Sequence, residues 1–147
     1  QEDEVHEPGD RVEVFPLDGF HACPFICYDL RFPELFRIGM QKGANLFIVI
    51  ACWPKIRIEH WVSLLKARAI ENQAYVVGVN RIGSDPDMEF GGNSLIIDPK
   101  GEILANAGET ESILSTEIDP SFATRWREEF PVLKHVRPEF LPPEPSA

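Results

Sequence analysis

Cys27 is the residue of this sequence best placed for covalent chemistry. It follows the apolar run 20–26 and precedes Tyr28-Asp29-Leu30-Arg31-Phe32-Pro33-Glu34, which has the polar start and early proline of a helix. A cysteine on a strand-to-helix turn projects out of its sheet, as the serine of a nucleophile elbow does. Backbone N–H groups at the start of a helix lower a thiol pKa and stabilise a developing oxyanion. Such a thiol suits acyl transfer. Burial is the competing role, because cysteine is among the most buried residue types. At its ordinary pKa of about 8.5 a thiol is mostly protonated at neutral pH, so a base must activate it. A cation beside the tetrahedral oxyanion would lower the barrier further. His21 and Cys23 fall within the same apolar run, and no second Cys or His pair follows at zinc spacing, so no metal site is expected. Cys52 and His60 read as packing residues. Gly91-Gly92 lacks the strand–loop–helix context and the Lys of a phosphate loop, and no cofactor is expected.

The elements that must hold Cys27 follow from periodicity. Residues 11–15 alternate polar and apolar, as a half-buried strand does. A turn at Leu17-Asp18-Gly19 leads to a second strand over 20–26. Residues 29–43 predict a helix with Pro33 in its first turn and Gly43 as its stop. Residues 46–50 are a continuous apolar run, the pattern of a fully buried strand. Trp61, Leu64, Leu65 and Ala69 recur at helical spacing, which predicts a helix over 58–71. Strands follow at 75–79, 94–97, 103–105 and 113–118; Asp98-Pro99-Lys100-Gly101 pairs the middle two as a hairpin. Asp119 and Pro120 are the cap and first residue of a helix over 120–129. The order predicts an α/β layered domain, a mixed sheet covered by helices on one face.

Composition bounds the function classes. The 147 residues carry 14 basic and 24 acidic groups, a net charge of −10, which argues against a nucleic-acid binder and an anionic membrane surface. No apolar stretch approaches the roughly 20 residues of a membrane-spanning helix, and no signal peptide is visible. Three cysteines is an odd number, so the expectation is reduced thiols and a cytoplasmic setting. Pro138, Pro142, Pro143 and Pro145 set off residues 141–147 as a proline-rich tail behind a domain over 1–140. The opening residues are acidic, end in the turn Glu7-Pro8-Gly9-Asp10 and lack an initial Met, which suggests a processed or truncated N-terminus.

Several ordered blocks carry a resemblance. Ile26-Cys27-Tyr28-Asp29-Leu30-Arg31-Phe32-Pro33-Glu34 resembles the nucleophile motif of the carbon–nitrogen hydrolase family, the nitrilase superfamily. Ala51-Cys52-Trp53-Pro54 resembles its strand-end Asn-Trp-Pro segment. His60-Trp61 and Leu65-Lys66-Ala67-Arg68-Ala69-Ile70-Glu71-Asn72 resemble its next helix. Val79-Asn80-Arg81-Ile82-Gly83, Phe90-Gly91-Gly92-Asn93-Ser94 and Asp98-Pro99-Lys100-Gly101-Glu102 follow in the family's order. The resemblance implies a layered α-β-β-α sandwich. It implies a Glu base, a Lys and a Cys nucleophile that cleaves an amide or nitrile through a thioester. Carried onto this chain, it makes Cys27 the nucleophile and gives the Tyr28 backbone N–H to the oxyanion. It makes Trp53 a wall of the pocket, with a core Trp as the alternative. It sets Arg31 against a substrate carboxylate, with an ion pair to Asp29 or Glu34 as the alternative.

The chain departs from the family in one respect. The family's base Glu and its Lys precede the Cys by many residues, whereas 26 residues precede Cys27. None of Lys42, Lys55, Lys66, Lys100 or Lys134 has the expected context. The chain therefore resembles the C-terminal half of such an enzyme. Glu2, eight residues before Asp10, matches a further pocket carboxylate of the family; Glu4 competes with it, and a solvated acidic loop is the alternative for both. The expected function is hydrolysis of a linear carboxamide with release of ammonia, of the omega-amidase type that acts on small 2-oxo acid amides such as 2-oxoglutaramate. The alternatives are a nitrilase, an N-carbamoyl hydrolase, or a non-catalytic piece of a self-associating scaffold. The expected partners are the amide substrate, the missing N-terminal half, and further copies of the chain in a dimer or larger homo-oligomer. The chain alone is expected to be inactive.

Overall fold

The computed structural model describes residues 9–140. Glu2, Glu4, the start of the Glu7–Asp10 turn and the 141–147 tail lie outside the described residues. Eight strands and three helices follow one another: β1 Phe15–Leu17, β2 Phe20–Ile26, α1 Pro33–Gln41, β3 Leu46–Ala51, α2 Ile58–Asn72, β4 Tyr75–Asn80, β5 Ile82–Ser84, β6 Glu89–Gly91, β7 Leu95–Ile97, β8 Ile103–Asn106 and α3 Pro120–Glu129. Six strands form one mixed sheet in the order β1-β2-β3-β4-β7-β8, and β5 and β6 form a separate ribbon. β2, β3 and β4 are parallel, with Ile26 opposite Ile50 and Ala51 opposite Asn80. α1 and α2 make the two crossovers that parallel neighbours require.

The parallel strands are apolar on both faces, so both need cover. On one face Cys23, Phe25, Phe47, Val49 and Val76 pack with Phe36, Trp61 and Leu65 of α1 and α2. α2 lies close: a Cβ at Gly78 would stand 2.5 Å from a Leu65 methyl carbon and 2.9 Å from the Trp61 ring. On the other face Phe20, Ala22, Leu46 and Tyr75 pack against Ala123 of α3. The expectation of helices on one face is thereby corrected. α3 covers only the start of the second face. Towards the strand ends, Ile26 is 62%, Ile50 51% and Val79 49% exposed.

Four other expectations shift. Residues 11–15 were expected to form a strand, yet β1 covers only Phe15–Leu17. Asp18 and Gly19 both have positive φ, the requirement of a type I′ hairpin, and this turn sets Leu17 opposite Phe20. The expected 29–43 helix is broken. Residues Cys27–Arg31 form a 3₁₀ turn, and Phe32 is extended at φ −108° before Pro33 begins α1. The proline ring clashes with helical backbone at the residue before it and pushes that residue to extended geometry. Residues 113–118 pair with no strand among the described residues, and Ile113 is 98% exposed. Alternation makes a strand only where a neighbouring edge is available. The β5–β6 ribbon was not anticipated; its signal is the turn-forming Asp85-Pro86-Asp87, where the Asp85 carboxylate accepts the Asp87 N–H at 3.1 Å. The 94–97 and 103–105 hairpin and the α3 cap form as expected. Asp98 accepts from the N–H groups of Lys100 and Glu102, and Asp119 accepts from that of Ser121.

Candidate active site

The carboxyl ends of β2, β3 and β4 bring Cys27, Cys52-Trp53 and Asn80-Arg81 to one edge of the sheet. Open parallel α/β sheets bind ligands at that edge. Cys27 is half-buried and opens the 3₁₀ turn with φ 43°. A left-handed backbone is uncommon for a residue with a Cβ, and persists only where the surroundings over-determine it. The Asp29 carboxylate supplies part of that constraint, accepting the Ile26 N–H at 2.8 Å. The Phe32 N–H closes the turn onto the Asp29 carbonyl at 3.0 Å. Tyr28 is 65% exposed, its ring edge-on to Phe32 at 5.4 Å.

Arg31 leaves the same turn and lies over Trp53, its guanidinium carbon 4.7 Å from the ring centre. Its contact is therefore a cation–π one, worth about 0.5–1 kcal/mol at an exposed site. Arg31 makes no ion pair with Asp29 or Glu34 among the described residues. Trp53 is 2% exposed. It forms a buried platform beneath Arg31 rather than an open wall. Its indole N–H donates to the Arg57 carbonyl at 2.8 Å, and its ring packs on Trp61.

Two polar residues that the sequence reading did not single out fix this edge. Asn80 is buried. Its side-chain oxygen accepts the Trp53 N–H at 2.6 Å, and its amide donates to the Gly92 carbonyl at 2.8 Å. Its own N–H donates to the Ser94 hydroxyl at 3.0 Å. Arg68 of α2 is 4% exposed and donates to the Leu30 carbonyl, inside the Cys27 turn, at 2.7 Å. The signal for Arg68 was available: it shares the spacing of Trp61, Leu65 and Asn72, all buried on α2.

The three thiols have different surroundings. Cys23 is fully buried and its pKa is pushed up to about 12, chiefly by that burial, against a partial downward pull from Lys42. It is therefore an unreactive core residue. Cys52 is exposed rather than packed, and so is His60. No disulfide joins the described cysteines. Among the described residues no group of three His, Cys, Asp or Glu side chains is arranged to hold a metal ion. No helix among them is long and apolar enough to cross a membrane.

Two hollows among the described residues are lined by residues near this edge rather than by the thiol. One, of about 400 Å³, is lined by Asp10, Arg11, Glu13, Asp29 and Lys42 among others. The other, of about 470 Å³, lies between the 54–57 segment and Asp87-Met88-Glu89. Cys27 lines neither. Lys55 on that second rim donates at 2.9 Å to both Glu89 and Glu109, and the two carboxylates, Glu109 foremost, hold it protonated well above the usual lysine range.

A mixed α/β sheet whose parallel strands β2–β4 present a thiol, a guanidinium and a buried Asn at their ends defines the class of fold and site. The chain belongs to the carbon-nitrogen hydrolase family, whose model matches residues 1–128. It is 50% identical over 129 residues to a 2-oxoglutaramate amidase of Bacillus subtilis, covering 88% of this chain and 50% of that one. It is 42% identical over 135 residues to an omega-amidase of Yersinia enterocolitica, covering 90% and 52%. A CN-hydrolase superfamily protein of Xanthomonas campestris superposes with a TM-score of 0.86 at 31% identity, covering 92% of this chain and 54% of that one. The α/β fold is thus that of nitrilase-superfamily structures. The chain spans about half the length of the curated relatives it matches.

Proposed function

We propose that this chain carries the nucleophile of an omega-amidase-type enzyme that hydrolyses the terminal amide of a small 2-oxo dicarboxylic acid. The Cys27 thiolate attacks the amide carbon, and the electron pair of the C=O bond moves onto the oxygen. The backbone N–H of Tyr28 meets that oxyanion. The tetrahedral intermediate collapses with expulsion of ammonia, which takes a proton from the acid–base partner. Water then attacks the thioester, releasing the carboxylic acid and the thiol. Arg31, lying over Trp53, presents its guanidinium to the substrate's carboxylate; that fork favours bidentate pairing.

The observation that carries this reading is Cys27 itself: a left-handed residue on a turn at the carboxyl end of β2, in a chain of this family. The relatives' names supply the substrate class.

The base, the second cation and the remaining pocket walls belong, in this proposal, to a partner segment supplied by the N-terminal half. Three observations support a partner. Ile26, Ile50 and Val79 are exposed on one sheet face, the 113–118 segment has strand alternation without a strand, and Cys27 lines neither hollow. Three lysines are otherwise engaged: Lys42 on the Val12 carbonyl, Lys55 on two glutamates and Lys100 over Trp126. Glu2 stays a candidate pocket carboxylate. Self-association into a dimer or larger assembly and a cytoplasmic setting with reduced thiols complete the proposal.

The test is ammonia release from 2-oxoglutaramate by the chain alone, by the chain with a relative's N-terminal half, and by the same mixture carrying Cys27→Ala. Loss of a general base alone costs about 10²–10⁴-fold in rate. The expectation is no turnover by the chain alone, turnover by the mixture, and none with Cys27→Ala. Turnover that survives Cys27→Ala refutes the proposal. A mixture that binds yet stays inactive on amides favours the non-catalytic alternative.

A further inference from the structure

We propose that Arg68 is a positioning residue for the nucleophile: it locks the Cys27 turn in its left-handed conformation by gripping the Leu30 carbonyl. One guanidinium nitrogen donates to that carbonyl at 2.7 Å, and a second donates to Glu71 at 2.9 Å. The guanidinium also lies over the Phe36 ring, 5.2 Å from its centre. One element thus ties together α1, α2 and the turn between β2 and α1.

The cost of this arrangement argues that it has a purpose beyond filling space. Arg68 is 4% exposed, and its Nε has no hydrogen-bond partner among the described residues. Burying a charged group is costly even when it is paired, here with the partly exposed Glu71, and apolar packing of the same volume is often as stabilising. What an apolar residue could not supply is a donor for Leu30. That carbonyl lies three residues after Cys27, within the same 3₁₀ turn. Asp29 holds the turn from within, through the Ile26 N–H. Arg68 holds it from outside, from a helix that cannot slide because Leu65 and Trp61 are seated against Gly78. With the turn held at both points, Cys27 keeps φ 43° and its thiol keeps one address relative to the turn's N–H groups. This inference rests on Cys27 as the nucleophile, but its test needs no substrate.

The experiment compares the chain with its Arg68→Lys and Arg68→Met variants, each at a temperature where circular dichroism shows it folded. Iodoacetamide labelling of Cys27 is measured by peptide mass spectrometry, with the exposed Cys52 of the same molecule as the reference. Hydrogen exchange is followed at the Ile26 and Phe32 amides, which close the turn, and at Val76 in β4. Lysine keeps the charge but presents a single nitrogen in place of the rigid planar fork that meets Leu30 and Glu71. The loss of one buried hydrogen bond predicts a Cys27:Cys52 labelling ratio lower by about fivefold in Arg68→Met and by about half that in Arg68→Lys. Ile26 and Phe32 should exchange faster by about tenfold, with Val76 unchanged. If the ratio and both amides match the parent while the melting temperature falls, Arg68 only braces α2 and the proposal is overturned. Where Arg68→Met does not fold, Arg68→Lys decides by the same criteria. A parent chain whose Cys27 labels no faster than Cys52 sinks the nucleophile assignment, and the exchange rates still decide the grip of Arg68.

Discussion

Replacing Asn80 with alanine should destabilise the chain far more than the loss of one exposed-sized polar side chain. The structure says why. Removing the side chain strips the Trp53 N–H of its acceptor at 2.6 Å and the Gly92 carbonyl of its donor at 2.8 Å. Both groups are buried. The Trp53 carbonyl keeps the Gly91 N–H at 3.3 Å, so it is not orphaned. Each orphaned buried backbone group costs about 1–3 kcal/mol, which gives about 2–6 kcal/mol for the pair. At a urea m-value of about 2 kcal/mol per molar, the midpoint should fall by roughly 1–3 M. The assay is urea unfolding followed by tryptophan fluorescence at one fixed protein concentration, because self-association would make the midpoint concentration-dependent. Trp53 should also become easier to quench below the transition, since Asn80 holds its backbone. A midpoint within about 0.3 M of the parent would refute the reasoning. It would mean that water or a relaxed backbone satisfies both groups and that Asn80 does not fix the Trp53–Arg31 shelf.

Other expectations concern the thiols and the bare sheet face. Cys23 should resist alkylation in the folded chain at pH 8, with Cys27 and Cys52 modified; early labelling of Cys23 would show that the core opens. Because burial raises the Cys23 pKa from 9.0 to about 12 in the folded state, the unfolded chain loses this proton first as pH rises. Stability from this group is therefore full below pH 9 and declines above it, by about 1.4 kcal/mol at pH 10. A Cys23→Ala variant should lose that part of the alkaline slope, although buried Tyr75 is raised by burial in the same direction and keeps its own part. On the sheet face, Ile50→Lys should shift the chain towards smaller species in sedimentation, since Ile26, Ile50 and Val79 form its exposed apolar strip. An unchanged distribution would place self-association elsewhere.

Local signals in the sequence were legible where one short segment decides its own conformation. Asp119 and Pro120 started α3, Asp98 closed its turn, and the run ending at Ile26 placed Cys27 at a strand end. What was not legible depends on neighbours. Residues 113–118 have the alternation of a strand, but no edge in this sheet accepts them. The second cover, α3, is dictated by the apolar second face of β2–β4, visible only once their register aligns Ala22, Leu46 and Tyr75. Within the site, Cys27, Tyr28 and Arg31 could be nominated together because they share one contiguous motif. The roles of Asn80 and Arg68 come from contacts 27 and 38 residues away along the chain, which no local pattern encodes. Trp53 could be nominated from its strand-end motif, but its burial beneath Arg31 is a tertiary fact.

The proposed chemistry turns on one sulfur atom, that of Cys27. The most direct measurement is rapid-quench peptide mass spectrometry of the chain, combined with an N-terminal half and mixed with 2-oxoglutaramate. The prediction is an acyl adduct on the peptide bearing Cys27, rising before ammonia reaches steady state and absent from Cys23 and Cys52. Ammonia release with no adduct on Cys27, or with the adduct on Cys52, would contradict it.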